Sequence, residues 1–74
     1  MAREAAAKRT ADLVTSRELE IVRLVARGLR NKEIGRRLAI TEGTVKIHLH
    51  NIFTKLEIAS RIQLTLYAQE QHLL

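Results

Sequence analysis

The residues with chemistry to offer in this chain are cations and hydrogen-bond donors. Thirteen lysines and arginines stand against eight carboxylates in 74 residues, for a formal net charge of +5 and a pI near 10.5. The excess is local. Residues 27–61 hold eight bases (Arg27, Arg30, Lys32, Arg36, Arg37, Lys46, Lys55 and Arg61) against three acids, while residues 1–26 carry +1 and residues 62–74 carry −1. Within the basic stretch Lys46 and His50 are four residues apart, the spacing that places two side chains on one helix face, and Ile47 lies beside them. A concentration of donors with few acceptors suits a partner covered in phosphate oxygens. Solvated side chains on helix surfaces would give the same count, so charge alone does not choose between the two.

The chemistry of catalysis and of metal binding is not evident. Cysteine is absent, which excludes disulfides, thiolate zinc sites and cysteine nucleophiles. His48 and His50 are two apart and point to different sides of a helix, so with His72 they make no metal site. No carboxylate pair, serine with a base partner or glycine-rich phosphate loop marks an active site. The expectation is a protein that is not an enzyme and carries neither cofactor nor metal. No apolar run approaches the roughly 18 residues of a membrane span, and the start MAREAAAKR lacks a signal-peptide core, so a cytoplasmic location is expected.

The elements that must position these residues are helices, packed into one small domain. Residues 1–12 read as a tail or linker, since their alanines favour helix locally but form no apolar stripe that would dock one. Patterning begins at Leu13. Thr15-Ser16-Arg17-Glu18 has the form of a capping box, flanked by Val14 and Leu19 as a hydrophobic staple. A first helix then runs from Ser16 to Arg27 on Val22, Val25 and Ala26, until Gly28 stops it. Asn31 is expected to cap a short second helix with Ile34 and Leu38 inward, followed by the turn Ala39-Ile40 and a new cap at Thr41. The third helix carries Val45, Leu49, Ile52, Phe53 and Leu56 on one continuous inward face, with Lys46, His50 and Thr54 opposite, and His48 on its flank in a structural hydrogen bond. Ser60 and Gln63 form a second capping box, opening a fourth helix with two apolar stripes, 62/66/73 and 64/67/68/71. One stripe closes the core; the other is left for a partner.

Two short helices joined by a tight turn, inside the basic segment, make a helix-turn-helix arrangement. Gly35 is small where the two helices approach, Ala39 and Ile40 supply the turn, Val45 is inward one turn into the next helix, and Thr41 and Thr44 stand as donors at that helix's N-terminus. The segments T-x-R-E-L-E-x-V, G-L-x-N-K-E-I, T-E-G-T-V-K-x-H and N-I-F-x-K-L occur in that order between residues 15 and 56. With them, residues 13–68 closely resemble the LuxR-type (LuxR/FixJ/NarL) helix-turn-helix domain of bacterial transcription regulators.

The resemblance implies an all-α, four-helix domain over residues 13–74 that binds double-stranded DNA sequence-specifically. Its third helix would enter the major groove, and its fourth would join two copies on a near-palindromic site. Carried over by position, it implies base contacts for Lys46, Ile47 and His50, phosphate contacts for Asn31, Lys32 and Thr44, and a homodimer interface, expected at Ile62 and Leu66 from the apolar stripe left free on the fourth helix. RNA polymerase is a further partner such a role implies. A lysine can donate to guanine O6 and N7, and an isoleucine can cover a thymine methyl. Two other readings stand beside this one: a protein-interaction module whose basic face is incidental, and a sigma-factor-like DNA-binding domain, which lacks the T-V-K-x-H segment. The chain departs from the family pattern at Gly35 and Leu64, where alanine is frequent, and at Glu57, where glycine is common and a different helix cap is expected. Either an excised effector domain, with residues 1–12 as its linker, or a short stand-alone regulator fits this length.

Overall fold

The computed structural model describes residues 9–73 as five helices, with no strand among them. They are α1 (Thr10–Leu13), α2 (Ser16–Ala26), α3 (Asn31–Leu38), α4 (Glu42–Leu56) and α5 (Arg61–Glu70). The chain is therefore all-α, as the periodicity predicts. Residues 1–8 of the expected tail lie outside the described residues. Residues 10–12 of it are helical, and the reason is a polar contact that no apolar stripe reveals. Thr10 is buried, and its hydroxyl is 2.7 Å from the Tyr67 hydroxyl of α5.

The starts of α2, α3, α4 and α5 each follow from a side chain that meets a free amide. Thr15 accepts from the Glu18 amide at 3.1 Å while Glu18 accepts from the Thr15 amide at 2.8 Å, the reciprocal box expected at α2. Thr41 caps α4 by accepting from the Thr44 amide, and Ser60 caps α5 by accepting from the Gln63 amide. The box at α5 closes one residue early: Gln63 Oε1 takes the Ala59 amide rather than that of Ser60. At α3 the capping expectation is corrected. The cap position is Arg30, whose amide donates to Glu33 Oε1 at 2.8 Å, and Asn31 is the first helical residue. Asn31 is drawn away because its Oδ1 accepts from Arg61.

The ends of α2, α3, α4 and α5 share one device. Gly28, Ala39, Glu57 and His72 all have positive φ, and the residue after each donates its amide five residues back: Leu29 to Leu24, Ile40 to Gly35, Ile58 to Phe53 and Leu73 to Ala68. Glu57, expected to bring a different cap, therefore makes the one that glycine makes, at φ 55°.

The core lies where α2 packs on α5 and α4, and α4 on α3. Ile21, Val22, Ile34, Val45, Ile52, Leu64 and Ala68 have no exposed surface, and Val25 and Leu49 are nearly as deep. Leu64 adds its bulk directly to this core. Stripe 64/67/68 of α5 faces inward, with Gln71 exposed, while Ile62 and Leu66 face out. Leu73, expected with Ile62 and Leu66, instead packs against the core because the cap at His72 turns the chain back. One long-range pair ties the layers together. Buried Glu18, at the start of α2, receives Lys55 Nζ at 2.8 and 3.1 Å on its two oxygens.

Candidate nucleic-acid interface

α3 and α4 are joined by Ala39, Ile40 and Thr41 alone. The turn is that tight because Gly35 has no Cβ. A Cβ there would sit 2.7 Å from the Ile40 carbonyl oxygen, inside van der Waals contact. The close approach inferred from residue type is thus a contact with the turn's own backbone, and it fixes how α4 leaves α3.

The rotation of α4 is set by what it buries. Val45, Leu49 and Ile52 are held in the core, with Phe53 and Leu56 half-buried behind them. Lys46, His50 and Thr54 are exposed on the other side, and Ile47 is 63% exposed, an unusual amount of free apolar surface for a helix otherwise packed. Thr54 turns its hydroxyl onto the His50 carbonyl. His48 is half-buried on the flank, as placed by its phase, but it makes no side-chain hydrogen bond among the described residues.

Two adjoining grooves border this face. One brings Asn31, Lys46 and His50 together with Arg61, over Leu49 and Phe53. The other, between the starts of α3 and α4, holds Lys32 with Arg30, Arg36 and Glu42, and shares Asn31 with the first. Thr44, half-buried, stands outside both at the start of α4. Its hydroxyl is 2.9 Å from that of Thr41, which also accepts the Thr44 amide. Whichever hydroxyl donates to the other, one O–H proton remains, together with the unpaired amides of the first turn: a donor set suited to an anion. Asn31 Oδ1 is occupied by Arg61 Nη1 at 2.5 Å, which leaves the side-chain NH₂ as its donor.

Arg61 is the residue of this site that sequence reasoning missed. Its guanidinium spans from the start of α5 to the loop before α3, with Nη2 2.6 Å from the Leu29 carbonyl oxygen. A signal was present: a cation in the first turn opposes the helix dipole, so something else must hold it there. Ile62 and Leu66 lie on α5 beyond it, 74% and 53% exposed. No helix among the described residues is long and apolar enough to cross a membrane, and no group of three or more potential metal ligands is gathered there.

Residues 12–68 match the family described as bacterial regulatory proteins, luxR family. The transcriptional regulatory protein LiaR of Bacillus subtilis (strain 168) is 52% identical over 60 residues, 81% of this chain and 28% of that protein. The nitrate/nitrite response regulator protein NarL of Escherichia coli (strain K12) is 38% identical over 72 residues, 97% of this chain and 33% of its own length. The response regulator protein VraR of Staphylococcus aureus (strain Mu3) is 43% identical over 63 residues, 85% of this chain and 30% of its own. The chain thus spans about a third of the length of these relatives. With its all-α fold and helix-turn-helix, the chain belongs to the luxR family of bacterial regulatory proteins, whose domains of this type bind double-stranded DNA in transcriptional regulation.

Proposed function

We propose that this chain is the sequence-specific DNA-binding domain of a bacterial transcription regulator, working in the cytoplasm as a homodimer with α4 of each copy in a major groove. The observation that carries the reading is the outward face of α4. Lys46, Ile47 and His50 are all exposed there, and their direction is locked by the buried Val45, Leu49 and Ile52. In this reading Lys46 and His50 donate to base edges, Ile47 covers a thymine methyl, and Asn31, Lys32 and Thr44 hold the backbone phosphates that set the register. Ile62 and Leu66 are the apolar surface of α5 that a second copy covers. The domain begins with α1, since Thr10 is buried against Tyr67, and it forms part of a longer regulator, with RNA polymerase the machinery on which it acts.

Selection of bound duplexes from a random pool, at one stated salt concentration, tests this reading. The expected outcome is a near-palindromic motif with two half-sites at fixed spacing about one helical turn apart, roughly 10 base pairs. A bound pool without any enriched motif would remove sequence reading from the proposal.

A further inference from the structure

We propose that the groove between α2 and α3 docks an acidic protein segment carrying an apolar side chain, on a face separate from the one that meets DNA. The groove is lined by Glu20, Arg23, Leu24 and Arg27 from α2 and its C-cap, and by Arg37 and Leu38 from the end of α3. Its three arginines are exposed, and none forms an ion pair among the described residues, whereas Arg9, Arg17, Arg30 and Lys55 each do. The one carboxylate on the rim, Glu20, is 3.9 Å from Arg17. What remains is a cluster of uncommitted guanidiniums around a floor made by half-buried Leu38 and the edge of Leu24.

These arginines are not part of the phosphate-binding set. Lys32 and Arg36 are four apart on α3 and share a groove with Arg30 and Glu42. Arg37 is rotated from Arg36 by about 100° around the helix, and the groove it lines contains no residue of α4. Arg23 lies outside the basic stretch of residues 27–61 altogether. A duplex held against α4 leaves this face open.

The occupant follows from complementarity. Phosphate oxygens would satisfy the arginines, but they gain nothing from a leucine floor; Glu20 on the rim repels phosphate and carboxylate alike and does not choose between them. A protein segment with two or more carboxylates flanking a leucine, isoleucine, methionine or phenylalanine satisfies both features. Guanidinium forks pair bidentately with carboxylates, and the apolar side chain covers Leu38 at the centre. This proposal holds whatever base sequence α4 reads.

A displayed library of random 16-residue peptides, selected on the immobilised chain, supplies the probe. Enriched peptides are expected to carry carboxylates within one helical turn of a large apolar residue. A synthetic copy of the leading peptide should bind at least tenfold more weakly to the Arg27→Ala/Arg37→Ala double variant, and to Arg23→Glu, which leaves the α2 cap and the turn intact. Lys46→Ala should leave peptide binding within twofold, and the double variant should keep its affinity for the duplex selected above within threefold. The proposal is overturned if no acidic, apolar class is enriched, or if the leading peptide responds to Lys46→Ala and not to the arginine variants. It is equally overturned if the double variant loses affinity for all duplexes with a reduced salt slope, because these arginines would then be phosphate contacts.

Discussion

Lys46 and Lys32 carry the same charge on different elements, and the proposed complex gives them different work. Lys46 projects from the second turn of α4, one turn before His50, where a helix in the major groove presents side chains to base edges. Lys32 sits in the first turn of α3 in a groove with Arg30 and Arg36, and in the proposed complex it meets the phosphate backbone. Lys46→Ala is therefore expected to weaken binding to the selected site by about 1–3 kcal/mol and to relax preference at one position per half-site. Lys32→Ala should weaken all duplexes alike and reduce the slope of log K against log salt by about one unit. Titrations of the selected and of scrambled duplexes at several salt concentrations separate the two, and equal losses for Lys46→Ala on both duplexes would deny it a base contact. Thr44→Ala should also weaken all duplexes alike, but without changing the slope, since a hydroxyl displaces no counterion.

Between residue and fold stand the helix ends, where backbone conformation decides more than side-chain contact does. Glu57 ends α4 at φ 55°, a region that costs an L-residue about 1–2 kcal/mol. Glu57→Gly relieves that cost but adds freedom to the unfolded chain, so a net gain of about 0.5–1 kcal/mol is expected, read as a higher urea midpoint at constant m-value. Gly35→Ala should act in the opposite direction. Alanine is better than glycine within a helix by about 1 kcal/mol, yet its Cβ would meet the Ile40 carbonyl at 2.7 Å, and such overpacking costs about 1–3 kcal/mol. A lowered midpoint is expected even though the family more often has alanine there, because the added Cβ meets backbone rather than a flexible side chain. These elements were largely legible in the sequence. Thr15, Thr41 and Ser60 announce the helix starts, and the spacing of Val45, Leu49 and Ile52 sets which way Lys46 and His50 face. The cap at Arg30 was not legible, because Asn31 has the better capping side chain and loses the position only through Arg61, 30 residues away in sequence. Thr10 was hidden for the same reason: its partner Tyr67 is 57 residues distant, and such pairs leave no periodic trace.

At the scale of the whole molecule, one contact within a copy holds the proposed reading face in place, and one between copies would present it twice. Within one copy, Glu18 and Lys55 hold the start of α2 against the end of α4. Burial by itself raises the Glu18 carboxyl, but the Lys55 hydrogen bond and charge and the Thr15 amide outweigh it and hold the group below its ordinary value. A folded-state value below the unfolded one stabilises fully above the unfolded value, about 4.3, and is lost as pH falls through the folded value. Urea midpoints for the wild type should hold from neutrality to about pH 5 and fall below about pH 4, and Glu18→Gln should remove that part of the decline while lowering stability at neutral pH. Between copies, the proposed contact is the exposed pair Ile62 and Leu66. These positions share one face of α5 while Leu64 and Ala68 are sealed in the core, so a charge placed on them leaves the fold intact and acts only on a partner. Ile62→Glu and Leu66→Glu should retain binding to a single half-site and lose cooperative occupancy of paired half-sites. Cooperativity multiplies the affinities of two weak sites, so the paired site should fall toward the affinity of one half-site alone. Sedimentation on paired-site DNA reads this directly: one copy per duplex at concentrations where the wild type loads two. If either variant still loads two copies cooperatively, the pairing surface is not this face of α5.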